Sequence, residues 1–317
     1  MAQAAIGGKD WRPARRGVKG VLRQMRREWT AYLFNAPGML LFAVFVVYAV
    51  FTSFTISFRE WDILSPAKPF VGLDNYREVM GDERFWASVG RSIYFTIGSV
   101  LPTMVIALGL ALLLNAKIRA LGLFRTAFYL PVVTPLVVAA IIWKWFYDAD
   151  FGLANYYLQR LNLIDKPLLW LADSNLAMPA VIVVNIWKGV GFNMVVYLAG
   201  LQAVPGEFYE AAEVDGAGPW QQFRRITFPL VAPTTFFLLV INTIGAMKTF
   251  DTIFVMTSGG PPGPGGVTTT IVYYIYTQAF TFFRMGYASA LAYVVFLLLF
   301  VVSFAQFRWY LKRVEEE

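Results

Sequence analysis

Six stretches of the 317-residue chain are apolar over twenty or more positions, with charged or turn-forming residues between them. They run from about Phe34 to Phe58, Ile93 to Asn115, Phe124 to Tyr147, Ala177 to Ala203, Phe228 to Met256 and Gly286 to Phe307. A helix needs ~20 apolar residues, at about 1.5 Å each, to cross a hydrocarbon layer about 30 Å thick. Each stretch therefore predicts one membrane-spanning helix, and the fold class is an all-α membrane protein with six transmembrane helices. Pro37, Pro102, Pro131, Pro135, Gly189 and Gly191 fall inside these spans. Spanning helices tolerate them when neighbours re-satisfy the backbone groups they free.

The polar segments divide the rest. Residues 1–30 form a basic tail, 31–313 a six-helix body and 314–317 a short C-terminal tail. The first tail carries Lys9, Arg12, Arg15, Arg16, Lys19, Arg23, Arg26 and Arg27. It reads either as a surface-lying amphipathic helix or as a solvated segment that sets topology. It does not read as a cleavable signal, because the apolar run behind it is too long and no small-residue cleavage site follows. Residues 59–91 and 148–176 are loops with room for short helices. Residues 257–270, TSGGPPGPGGVTTT, are a Gly/Pro-rich turn that is not helical. There is no soluble domain and no internal repeat of about 20–50 residues.

Basic residues orient the body. With the N-terminus inside, the cytoplasmic segments hold the eight tail residues, Lys117, Arg119, Arg125, Arg224, Arg225, Arg308, Lys312 and Arg313. The outer segments hold Arg59, Lys68, Arg77, Arg84, Arg91, Arg160, Lys166 and Arg284. Sixteen against eight favours both termini in the cytoplasm.

Composition agrees with a protein built for lipid. Hydrophobic residues make up 58% and charged residues 15%, against about 25% charged in soluble domains. Aromatics reach 17%, which suits the two bilayer interfaces. The chain has no cysteine and no histidine, which removes disulfides, the common nucleophile–base pairs and most zinc sites. No catalytic residue, metal ligand or cofactor site is expected. The net charge of +7 is accounted for by basic flanks around apolar spans, so no nucleic-acid partner is expected.

The segment between the fourth and fifth spans carries the most information. Pro205-Gly206-Glu207 reads as a helix N-terminus, with proline in the first turn and an acid at the positive end of the dipole. Phe208, Ala211, Ala212 and Val214 give the helix a small apolar face. Asp215-Gly216 stops it, with Gly216 free to turn left-handed. Pro219 then starts a second short helix that leads into the fifth span. The prediction over 205–227 is a helix–turn–helix exposed to the cytosol and joined rigidly to two spans.

This segment, EAAEVDGAGPWQQFRRITFPLVAP from Glu210 to Pro233, resembles the signature loop of permease subunits in binding-protein-dependent ABC importers. Glu210, Ala211, Ala212, Asp215, Gly216, Ala217, Phe223, Ile226, Pro229 and Pro233 meet its fixed positions. Flanking segments resemble the maltose-type sugar permeases: FVGLDNYREVM (Phe70–Met80), the fourth span with NIWKGVGFNMVVYLAGLQAVP, FDTIFVMTSGGPPGPGGVTTT (Phe250–Thr270), and YIYTQAF with GYASA. The chain lacks the large outer domain or extra N-terminal spans that some of those subunits carry, and resembles the short six-span form.

The resemblance implies a type I importer permease in a prokaryotic plasma (inner) membrane. It implies a second homologous permease subunit, two ATPase subunits and an extracytoplasmic solute-binding protein as partners. Glu210, Ala211, Ala212, Asp215, Gly216 and Ala217 would couple the chain to the ATPase, with Glu210 as the acid that meets a basic or polar partner there. No GxxxxGK[ST] loop is present, so ATP hydrolysis belongs to another chain and the protein is not expected to be an enzyme.

For substrate, the residues themselves point first to Lys188. It lies about 15 Å along the fourth span at 1.5 Å per residue, near mid-bilayer, where an ionisable group is costly and usually functional. Asn185, Lys188 and Phe192 share one helical face, and Asn242 and Thr249 lie seven apart on the fifth span. Lys144, Lys248 and Asp251 sit nearer the outer ends and read as interface anchors, or, for the last two, as a local ion pair. The resemblance implies a sugar held by Asn185, Lys188, Gly189, Phe192, Asn242, Gly245, Ala246 and Thr249. Gly245 and Ala246 stand where some relatives carry bulkier side chains, implying a roomier pocket. For Asn185 and Asn242 hydrogen bonding between helices is the equal alternative.

Three alternatives place different demands on the residues. A glycerol-phosphate importer subunit would pair Lys188 or Lys248 with phosphate. An ion-coupled secondary transporter would want mid-span acids or histidine, and would leave the cytoplasmic helix–turn–helix unexplained. A membrane-embedded enzyme would need a cluster of catalytic groups, and none is visible.

Overall fold

A computed structural model describes residues 28–116, 120–257 and 263–316. Almost all of the basic tail, Lys117, Arg119 and the middle of the Gly/Pro-rich turn lie outside the described residues. The chain divides into two compact units, Met1–Thr55 and Ile56–Glu317.

The first unit is occupied by the first span, a helix over Trp29–Ile56. Pro37 lies in its third turn, and a π-helical stretch runs over Ala43–Tyr48.

The second unit holds the remaining spans. Three are continuous or nearly so: Glu83–Asn115, Ala177–Gln202 and Met285–Lys312, the last extending helically to Glu316. Two are bent. The third is Leu121–Val133 followed by Leu136–Phe146 at 96°, and the fifth is Pro219–Leu230 followed by Ala232–Met247 at 60°. Each bent pair counted as one span gives the six that the apolar pattern predicts.

The second span's start and the fifth span's end differ most from that prediction. The second span starts ten residues early, because the Asp82 side chain caps it by accepting from the Arg84 amide at 2.9 Å. The fifth span ends at Met247 rather than Met256: the chain turns at Lys248–Phe250, and Asp251–Met256 forms a separate short helix. The carbonyl of Thr249, exposed by that turn, accepts from the Thr270 hydroxyl at 2.9 Å.

The second and fourth spans form the largest interface, and the fifth packs on both. The fully buried side chains include Tyr197, Met194 and Val181 from the fourth span and Leu238 from the fifth. A smaller apolar cluster on the outer side joins Val79, Phe85, Ile271 and Leu291. Polar contacts lock this outer end. Arg284 reaches both carboxylate oxygens of Glu78 at 2.7 Å. Asn75, buried, donates to the carbonyls of Ser57 and Arg59 at 2.8 and 3.0 Å. Asp82 accepts from the hydroxyls of Tyr274 and Tyr287. Burial alone would push its carboxyl up, but these bonds and the Arg84 and Phe85 amides outweigh it and hold it below the ordinary carboxylate value.

Candidate functional site

Two places in the second unit carry chemistry: a cavity within the spans and an elbow between the fourth and fifth.

The cavity encloses about 370 Å³. The fourth span contributes Asn185, Lys188, Gly189 and Phe192; the fifth contributes Asn242, Gly245, Ala246 and, at its end, Thr249. All eight residues named as substrate contacts thus face one space. Gly245 leaves room there, since an added Cβ would meet nothing within 4 Å, whereas at Gly189 it would come within 3.2 Å of the Thr103 methyl. Asn185 makes no hydrogen bond among the described residues, so its amide is available to a ligand.

Two of the eight are committed elsewhere. Asn242 donates to Asn193 Oδ1 at 2.6 Å and to the Leu238 carbonyl at 2.7 Å, and Asn193 donates back at 3.3 Å. The interhelical alternative is therefore realised at Asn242, which still lines the cavity. Lys188 points its Nζ at three backbone carbonyls of the third span: Pro131 at 3.1 Å, Val132 at 3.5 Å and Thr134 at 2.7 Å.

Other residues line the cavity or back it. Thr103 of the second span is buried, and its hydroxyl has no hydrogen-bond partner among the described residues. Leu136 enters at the break in the third span. Asn193, fully buried behind the cavity, was not singled out although it lies eight positions from Asn185 on the same helix. Lys248 and Asp251 sit exposed at the rim, and no ion pair joins them among the described residues.

The elbow forms as the sequence dictates. Its first helix is Glu207–Val214. The Ala217 amide returns to the Ala212 carbonyl at 2.8 Å and the Gly216 amide to Glu213 at 3.0 Å. This paired closure requires a left-handed residue at Gly216, whose φ is +76°. The second helix begins at Pro219, and the Gln221 side chain accepts from the Gly218 amide at 3.2 Å. Tyr209 and Thr227 share a hydroxyl hydrogen bond of 3.0 Å, which pins the first helix to the base of the fifth span. Glu210, Ala211, Asp215 and Gly216 are exposed, and Ala212 and Ala217 half-buried. Phe208, Val214 and Trp220 are 51%, 88% and 71% exposed, an apolar surface on a rigid two-helix unit.

Comparison with known proteins accords with this geometry. Residues 79–316 match the family described as the inner membrane component of binding-protein-dependent transport systems. A probable ABC transporter permease of Pyrococcus horikoshii is 34% identical over 89% of this chain and 96% of its own. The trehalose/maltose transport system permease of Thermococcus litoralis is 35% identical over 88% and 92%. The sn-glycerol-3-phosphate transport system permease of Agrobacterium fabrum is 34% identical over 89% and 95%. The fold is shared with a chain of a bacterial ABC transporter that imports the acidic polysaccharide alginate, at a TM-score of 0.75 and 24% identity over 91% of this chain and 97% of that one. The chain therefore belongs to the inner membrane component family of binding-protein-dependent transport systems, as a multi-pass permease of an ABC importer.

Proposed function

We propose that the chain forms, with a second related permease subunit, the path by which a di- or oligosaccharide delivered by an extracytoplasmic binding protein crosses the membrane. Two separate ATPase subunits supply the energy. They dock on the elbow through Glu210, Ala211, Ala212, Asp215, Gly216 and Ala217, and both ends of the six-helix body lie in the cytoplasm.

The observation that supports this most is the convergence of the eight residues on one cavity. Its volume falls in the usual range for small-molecule sites, about 300–1,000 Å³. Its lining suits a polyhydroxylated ligand: Asn185 and the Thr249 hydroxyl offer hydrogen bonds, and Phe192 offers a face for C–H groups. Relatives named for trehalose/maltose and for lactose transport point the same way. The second reading is a glycerol-phosphate importer, favoured by the relative of that name and by Lys248, which stands exposed at the rim where a phosphate would meet it.

Gly245→Leu tests the cavity. The new side chain enters open space, so thermal stability and assembly with the ATPases stay as in the wild type, while uptake by the reconstituted importer falls at least about tenfold. Unchanged uptake would place the substrate path elsewhere.

A further inference from the structure

The break in the third span frees backbone carbonyls within a span, where each needs a partner. Val133 is the last residue of the inner half; Thr134 and Pro135 are extended, with ψ of 128° and 134°. Pro135 has no N–H to return to the Pro131 carbonyl, and its ring pushes Thr134 out of the helical region. Several carbonyls would otherwise lie open. Leu130 accepts from the Thr134 hydroxyl at 3.0 Å. Pro131, Val132 and Thr134 are the three that face Lys188 Nζ.

An ammonium has three N–H donors, and these three carbonyls account for all of them. Its charge also sits at the negative end of the Leu121–Val133 helix dipole. Less than a turn farther along the fourth span, Gly191 lies so close to the third that a Cβ there would fall 2.2 Å from the Phe128 carbonyl oxygen. Below this joint the fourth span runs to Gln202, and four residues separate it from the first elbow helix at Glu207.

We infer that Lys188 is a positioning residue that ties the bend of the third span to the fourth span. The inner half of the third span, and the break that leads to the cavity-lining Leu136, then move with the fourth span whenever the elbow displaces it. This extends the transport reading above, but the tether does not depend on what the cavity binds. A lysine whose donors were meant for an anionic ligand would not have all three turned to backbone.

The chain has no cysteine, so paired labels are selective. Cysteines at Leu123 and Trp145, 71% and 63% exposed, bracket the bend and carry spin labels in the assembled importer. Lys188→Met is predicted to shift the interlabel distance by about one helical turn, ~5 Å, or to spread it over that range. Maximal uptake is predicted to fall about tenfold with KM within about twofold. If the Met variant does not assemble, Lys188→Gln, one atom shorter with two donors, is measured the same way and shifts in the same sense. An unchanged distance overturns the tether whatever uptake does, and an unchanged distance with a tenfold rise in KM assigns Lys188 to the substrate instead. A shifted distance with uptake insensitive to Gly245→Leu keeps the tether and removes the sugar cavity.

Discussion

The third and fourth spans both carry residues that disfavour helices, yet only one of them breaks. Pro131 and Pro135 accompany a 96° bend, whereas Gly189 and Gly191 sit inside an unbroken helix from Ala177 to Gln202. The difference is one of mechanism. Pro135 removes a donor and evicts Thr134 from the helix, whereas Pro131 is carried inside the inner half and Pro102 inside the unbroken second span. Glycine removes only a side chain, and in a membrane that absence lets backbones approach. The fourth span uses Gly191 to come within reach of the bent span, and its lysine to satisfy carbonyls the bend leaves open. One helix is deformed and the other is shaped to hold the deformation.

The comparison can be broken most forcefully at Gly191. Gly191→Ala drives a Cβ into the Phe128 carbonyl, which is backbone and has little room to yield. A loss of about 1–3 kcal/mol in resistance to unfolding is expected. Gly189→Ala, two residues away, meets the Thr103 methyl at 3.2 Å and is expected to cost a small fraction of that, since a side chain gives way. Equal effects on thermal unfolding would mean that glycine acts at both sites through helix propensity rather than contact.

A smaller effect is expected at Asn193→Leu. It removes the partner of Asn242 and leaves that amide with the Leu238 carbonyl alone. Interhelical hydrogen bonds in membranes average about 0.6 kcal/mol and reach about 1.7. A drop within that range sharpens the view that the fourth and fifth spans are joined by this pair, and no drop would contradict it. The smallest effect belongs to Thr134→Val. It deletes the hydroxyl that covers the Leu130 carbonyl, for under about 1.5 kcal/mol, and should widen the spread of bend angles seen by the labels at Leu123 and Trp145 without moving their mean.

The spans themselves were legible because a hydrocarbon layer asks only for length and apolarity. The angles within them were not. Pro131 and Pro135 announce a weak point, but no local pattern gives the 96° angle or the fourth-span contacts made at the bend. The fifth span read too long for a related reason: Phe250–Met256 is apolar enough to continue it, and only the turn at Lys248–Phe250 separates it. The elbow was legible almost residue by residue, since its helix stop at Gly216 is closed by bonds among Ala212, Glu213 and Ala217, all neighbours in the chain. The cavity was legible on the fourth and fifth spans, where the resemblance named its lining. Thr103 was not, because one hydroxyl among apolar residues reads as ordinary helix packing. Lys188 was recognised by its depth in the bilayer, but the partners it meets are backbone carbonyls 54–57 positions away, which no side-chain pattern advertises.

The elbow as the contact for a separate motor is the claim on which the transport account turns. Its direct measurement is a cysteine at Val214, the most exposed apolar residue of the first elbow helix, cross-linked within the intact importer in inside-out membranes. The account predicts an adduct with the ATPase subunit whose yield changes when ATP is bound. Labelling of that cysteine only from the outer face, or no adduct with the ATPase under any nucleotide condition, would contradict it.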